Sequence, residues 1–344
     1  MSTAANAPAR VNAPGAIPAP AAGLGDAAAN ALGDAPATAL GDAPAPAVAP
    51  GDAPADVPGG FRPAPPGATT TRLQAGKGNT MEVRWERLTA PDLKALAVRN
   101  ALPVLPIGSL EQHGPHLPVW TDSHAAHALS VRAAEQATDI PAVVLPPLWL
   151  GLSEHHFPFG GTVSLDYATF HAVLRCVVRS LLADGFRRLF IVNGHGGNIE
   201  PLAVSARELA HEFAIPVVAT TWPNAAPAEI AATLTTQPGI QHACEGETSL
   251  WLAFDPGQVR RDRLADAVSN APAETPPAGA SRFWSFEERA PRTGVRGDPR
   301  AATAEKGERI IAAVSAGLVR MMRDPLLWRA PDPVWTPGRA GGRQ

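Results

Sequence analysis

Residues Arg188-Leu-Phe-Ile-Val-Asn193 run into Gly194-His-Gly-Gly-Asn198 and then into a helical pattern over 199–213. An apolar run this short and unbroken offers no polar face to solvent, which marks a strand buried on both sides of a sheet. The same kind of run recurs at 103–107, 142–145 and 216–220, and helical patterns lie between and after these runs at 123–136, 167–183 and 227–234. In the second of these, Phe170, Val173, Leu174, Val177, Val178, Leu181 and Leu182 recur at the spacing of a core-facing stripe. Strands alternating with helices predict an α/β fold, a mostly parallel sheet joined by right-handed crossovers. Ligand sites in such sheets form beyond the carboxyl ends of strands, which draws attention to the loops after Ile107 and Val192.

The chain of 344 residues is 45% hydrophobic and 18% charged, so it can bury a sizeable core. Its 29 basic and 32 acidic residues give a formal net charge of -3, with no basic run to follow a phosphate backbone; no nucleic-acid partner is expected. Cys176 and Cys244 form no CxxC pair, which excludes a zinc knuckle and suits a reducing compartment. No leader segment or apolar stretch of membrane-spanning length is legible, so a cytoplasmic protein without membrane contact is expected. Residues 1–80 are dominated by Ala, Pro and Gly, with Gly-Asp-Ala recurring at 25, 33, 41 and 51. Such a segment has too few large apolar side chains to offset its ordering entropy, and a disordered extension is expected there. The organisation read from the chain is this extension, a folded domain over 81–328, and a flexible tail over 329–344.

The loop after the first strand reads Gly108-Ser-Leu-Glu-Gln-His-Gly-Pro-His-Leu-Pro-Val-Trp-Thr-Asp122 and concentrates Glu111, His113, His116 and Asp122. Carboxylate and imidazole are what divalent metals of hard-to-borderline character prefer. The bland alternative is that Asp122 or Ser123 caps the next helix and the histidines lie at the surface. In Asn193-Gly-His-Gly-Gly-Asn198 the glycines permit positive φ and a close backbone approach around His195, with Asn198 as an alternative helix cap. The free N–H groups of such a turn would also suit a phosphate, although neither P-loop nor GxGxxG spacing is present. In His242-Ala-Cys-Glu-Gly-Glu-Thr-Ser249, Glu245 and Glu247 are not both expected in one pocket, and one of the two is expected to be solvated. Cys244 has acidic neighbours and reads as structural. A further stretch, Ser153-Glu-His-His156, offers two histidines of which at most one, taken as His156, is expected to reach the site.

In this order the motifs resemble the creatininase (creatinine amidohydrolase) family. That family's Gly-Ser-x-Glu-Gln-His-Gly-Pro-His-Leu-Pro…Asp segment, Asn-Gly-His-x-x-Asn turn and His-Ala-Gly-x-x-Glu-Thr-Ser segment match Gly108 to Asp122, Asn193 to Asn198 and His242 to Ser249. Ser153-Glu-His-His…Gly161-Thr162 and Gly297-Asp-Pro…Ala304-Glu-Lys-Gly307 are also similar to family patterns, and the likeness spans about 83–325. The resemblance implies a three-layer α/β/α subunit, homo-oligomeric and often hexameric. It also implies two divalent metal ions per subunit, zinc in the first place with manganese or iron as alternatives. Glu111 and His195 would hold one ion and His113 the other, Asp122 would bridge, and Glu247 would complete the set.

Creatinine-hydrolysing members carry a metal-binding Glu where this chain has Gly197, and another branch shares the Gly-Gly turn, which favours Glu247 over Glu245. Those members also stack the creatinine ring between tryptophans; Trp222 matches one, but Pro238 stands in place of the other. The reading therefore moves from creatinine to another small amide, cyclic amide or formamide, cut by a hydroxide bridging ions roughly 3.5–4 Å apart. His242 would shuttle a proton to the leaving nitrogen, and Trp222, His156, Gly196 and Gly197 would contact substrate. The alternatives are a peptidase trimming a cofactor precursor peptide and a phosphate-binding module built on the 193–198 turn.

Overall fold

Six consecutive buried residues make Leu102–Ile107 a strand covered on both faces, and Leu189–Asn193 is buried throughout in the same way. With Ala142–Val144 and Val217–Thr221 they are β1, β3, β2 and β4, numbered in chain order. All pairings are parallel and the strand order is β2-β1-β3-β4. The computed structural model describes residues 81–268 and 281–333. The extension expected over 1–80, and the tail beyond 333, lie outside the described residues.

The helices are α1 (Ala90–Val98), α2 (Thr121–Gln136), α3 (Tyr167–Ala183), α4 (Ile199–Phe213), α5 (Pro227–Thr233), α6 (Glu245–Phe254), α7 (Phe286–Arg289) and α8 (Ala304–Arg323). One face of the sheet packs Val104, Phe190 and Val192 against Leu129 of α2, Leu250 of α6 and Ile310, Val314 and Leu318 of α8. The other packs Leu105, Ile107 and Ile191 against Leu96 of α1, Phe170, Leu174 and Val178 of α3 and Leu202 and Leu209 of α4. The result is a three-layer α/β/α arrangement, as the resemblance implied, around the parallel sheet that the alternation implied. The crossover helix changes sides where the strand order reverses, at β1 and β3, and that reversal opens a crevice at their carboxyl ends.

Expected and observed bounds coincide for α3 and α4, whose stripes are strongly periodic. Two caps differ. α2 starts at Thr121 with no side-chain cap, because Asp122 is turned to other use. Asn198 stands at the start of α4 but makes no cap bond, its side chain being engaged elsewhere. The stretch after His242, left without an assigned element in the sequence, becomes a helix from Glu245, where tertiary burial on α8 decides the backbone and the 250–254 run is too short to declare its period. The sequence reading assigns no helix to α8, although Ile310, Val314, Leu318 and Met322 lie four apart on its buried face. Among the described residues, no helix is long and apolar enough to cross a membrane.

Candidate metal centre

Glu111 and His113 follow β1 and are both fully buried, while Asp122 points inward from the first turn of α2. His195 follows β3, the other strand at the reversal. Asn193 fixes it there, with Oδ1 accepting from the His195 N–H at 3.1 Å and Nδ2 donating to the His195 carbonyl at 2.6 Å. Asn198 ties this turn to its neighbours, donating to Gly108 O and accepting from Leu152 N–H, each at 3.0 Å. The glycines of the turn do not use positive φ. Their requirement is space: a Cβ on Gly194 would stand 2.2 Å from the Asp122 carbonyl, and one on Gly197 2.4 Å from His195 Nε2.

These elements bring the five expected ligands together. His195 Nδ1 lies 3.1 Å from both Glu111 Oε2 and Asp122 Oδ2. His113 Nε2 lies 3.2 Å from the other oxygen of Asp122 and 3.9 Å from Glu247 Oε2. Asp122 thus faces one histidine with each oxygen, the disposition a bridging carboxylate needs. Each imidazole turns its remaining nitrogen to a backbone carbonyl, His113 Nδ1 to Glu111 O at 3.2 Å and His195 Nε2 to Leu152 O at 3.0 Å. That second contact assigns one proton to the outer nitrogen, so that loss of the other proton would present a lone pair to the cluster.

Glu111 Oε1, His113 Nε2 and Asp122 Oδ2 are buried without a hydrogen-bond partner, a costly state that a cation would relieve. Burial lowers His113 and His195, but the surrounding carboxylates outweigh it, lifting His113 to about 9 and His195 well above its ordinary value. Burial and then the Asp122 and Glu111 charges push Glu247 up to about 7 against the pull of His113. Three buried carboxylates drawing positive charge onto imidazoles are a donor set suited to divalent metal. The residues present fit that group.

His242 lies at the edge of the cluster, its Nε2–H donating to Gln112 O at 2.8 Å and its Nδ1 standing 3.5 Å from Glu111 Oε1. Burial first, then the neighbouring His113, keep it well below the usual histidine range, so it is a neutral imidazole with an accepting Nδ1. Both His155 and His156 reach the site, contrary to the expectation of one, because Glu154–Phe159 is a tight 3-10 turn that leaves their rings 4.4 Å apart. His156 Nδ1 accepts from the Gln112 amide at 3.0 Å, which leaves the proton on its Nε2, 3.4 Å from Glu111 Oε1 but not hydrogen-bonded to it. Phe286 closes over these rings, stacked 4.1 Å from His156 and edge-to-face 4.5 Å from His242.

Glu245 is neither solvated nor in the cluster. It is fully buried on the other side of α6, ion-paired with Lys306 and bonded to Thr235 and Thr236. A helical rather than extended backbone sends the two glutamates different ways without exposing either. Trp222 borders the cleft but is only 1% exposed and packs into the core, leaving no free ring face for stacking. Gly196 and Gly197 line the cleft as expected. His116 stays behind the cluster, bonded to Thr248 at 2.9 Å. Cys244 is buried, and burial followed by the Glu247 charge pushes its thiol up to about 11, in keeping with a structural residue. Sequence reading overlooked Gln112, although it lies inside the Glu-Gln-His motif, and Ser153, whose hydroxyl donates to Glu111 Oε2 at 2.8 Å. The whole cleft measures about 660 Å³.

With this geometry in place, comparison with known proteins is informative. The chain matches the family model for creatininase, creatinine amidohydrolase, over residues 86–322. It is 36% identical over 218 residues to the mycofactocin precursor peptide peptidase of Mycolicibacterium smegmatis, covering 62% of this chain and 81% of that protein. It is 31% identical over 262 residues to the creatinine amidohydrolase of Pseudomonas putida, covering 71% of this chain and 95% of the relative. A solved creatininase mutant of Zn-Zn type superposes with a TM-score of 0.60 at 31% identity, over 71% of this chain and 98% of that one.

Proposed function

The chain belongs to the creatininase family of hydrolases, and from that premise we propose that it is a metal-dependent amidohydrolase acting on a C–N bond of a small amide, cyclic amide or formamide. The observation that carries this is the convergence of Glu111, His113, Asp122, His195 and Glu247, buried together with orphaned oxygens and nitrogen facing inward. Glu111 and His195 would hold one ion, His113 and Glu247 the other, and Asp122 both. Bound there, divalent ions, zinc first, supply an acidified water and polarise the scissile carbonyl.

His242 Nδ1, free of any backbone partner, takes up a proton during attack and returns it to the leaving nitrogen. His156 Nε2–H is a fixed donor on the same side of Glu111, positioned to hold a substrate oxygen. Gly196 and Gly197 line the cleft, and their N–H groups would be the donors for developing negative charge. Phe286 covers His156 and His242 and keeps bulk water from both imidazoles.

The likeness to the peptide peptidase supports a second reading in which the amide is a peptide bond. A homo-oligomer, hexameric by resemblance, belongs to the same proposal and is read from the native particle mass. The test is turnover of creatinine, formamides and short peptides by the zinc-loaded chain, before and after chelation. Amide hydrolysis abolished by chelator and restored by metal is expected, with His242→Ala retaining metal but losing kcat. Phosphate affinity that survives chelation, with no amide cut, would favour a phosphate-binding module instead.

A further inference from the structure

Three guanidinium groups line the cleft, those of Arg282, Arg289 and Arg296. Arg282 is engaged, paired with Glu288 at 2.9 Å and stacked 3.2 Å over Trp284. Arg289 and Arg296 have no ion pair or side-chain hydrogen bond among the described residues, and Arg289 Nε is buried without a partner. Both are half-buried and close enough for their charges to repel, and Glu200 at the cleft wall offsets only part of this at Arg289 without forming an ion pair. Exposed arginines are commonly unpaired, but two adjacent ones in a cleft, partly desolvated, carry a cost that a bound anion removes.

Their position relates them to the reacting groups. The Arg296 N–H donates to the His242 carbonyl at 2.8 Å, which places this residue beside the imidazole that handles the proton. The Arg289 guanidinium sits 5.7 Å over Phe286, the ring that covers His156 and His242. Planar guanidinium forks match a carboxylate in two-pronged fashion. A neutral cyclic amide would leave both of them unmatched.

We propose that Arg289 and Arg296 form a carboxylate-binding subsite, so that the amide cut at the metal centre carries a carboxylate, as an N-acylated amino acid or the last residue of a peptide does. The substrate class rests on the hydrolase reading, whereas the binding subsite is tested independently of turnover. The zinc-loaded full chain is titrated by calorimetry with N-acetylphenylalanine and with its amide, N-acetylphenylalaninamide. The free acid should bind roughly 10- to 100-fold more tightly, as expected for charged hydrogen bonds. Arg289→Met and Arg296→Met should each bring that ratio close to one, and Arg207→Met on the exposed face of α4 should leave it intact. Equal affinity in the unaltered chain, or a preference that survives both cleft variants, overturns the subsite. Inorganic phosphate displacing the acid at a tenfold lower concentration, in an Arg289-dependent way, also overturns it in favour of a phosphate site. Retained acid preference with no acyl amino acid or peptide hydrolysed sinks the hydrolase reading and leaves the subsite standing; hydrolysis of neutral amides without preference does the reverse.

Discussion

Glu245 and Glu247 are two residues apart and both buried, yet exchanging each for glutamine should have opposite consequences. The Glu245 carboxylate accepts from the Thr235 N–H at 3.0 Å, the Thr236 N–H at 2.8 Å and the two threonine hydroxyls at 2.9 and 2.7 Å, and it pairs with Lys306. Lys306 is itself only 12% exposed. Glu245→Gln keeps the volume but leaves that ammonium without a counter-charge and points an NH2 group at donors. Breaking a buried pair by removing one partner costs about 3–5 kcal/mol. The amide-to-backbone losses overlap with that figure and do not add to it. At about 2–4 °C per kcal/mol for a domain of this size, the melting temperature should fall by roughly 6–20 °C. For Glu247, by contrast, burial first and then the Asp122 and Glu111 charges disfavour the charged form more than His113 favours it, so neutralising it removes a net penalty. Metal-free Glu247→Gln should therefore melt no lower than the unaltered chain while losing metal. Scanning calorimetry with chelator, alongside elemental analysis of undialysed samples, separates the two. Glu245→Gln that strips metal without lowering the chelated melting temperature, or equal destabilisation by both changes, refutes the division of labour. Pairing Glu245→Gln with Lys306→Met should recover part of the loss, because the stranded charge is then gone.

Other consequences are as direct. Gly194→Ala sets a Cβ against the Asp122 backbone carbonyl and should weaken metal binding with a stability loss of about 1–3 kcal/mol, read by metal titration and urea melts. Phe170, fully buried between α3 and the sheet, should cost about 3–5 kcal/mol on truncation to Ala, with metal content per folded chain unchanged. Alkylation of the native protein should label exposed Cys176 and spare buried Cys244, as peptide mass mapping would show; rapid labelling of Cys244 would contradict its structural role. Ser153→Ala removes a hydroxyl bond to Glu111 and should reduce metal affinity about 10-fold or more without abolishing binding, measured by competition with a chelator.

The sheet and the helices α3 and α4 were legible because their burial patterns are written in single segments: unbroken apolar runs and a 3.6-residue stripe. The five clustered side chains were legible because each lies in a motif beyond a strand or at a helix start. What escaped depends on contacts between distant segments. Whether Glu245 is solvated turns on Lys306, sixty-one residues away, and no local pattern announces that partner. Trp222 sits at the edge of the cleft yet is committed to the core by helices from the end of the domain. Arg289 and Arg296 belong to a segment without regular period, and only the folded chain shows that they line the same cleft as the imidazoles. Of the two reasons read for the glycines of 194–197, positive φ and close backbone approach, only the second holds, and it holds at Gly194 and Gly197.

The central claim is that His113 and Asp122 help to hold metal in this cleft, and the metal content of the purified chain tests it most directly. Elemental analysis should find two divalent ions per chain, with His113→Ala and Asp122→Ala each losing metal and amide hydrolysis together. Full metal content in both variants would contradict the account.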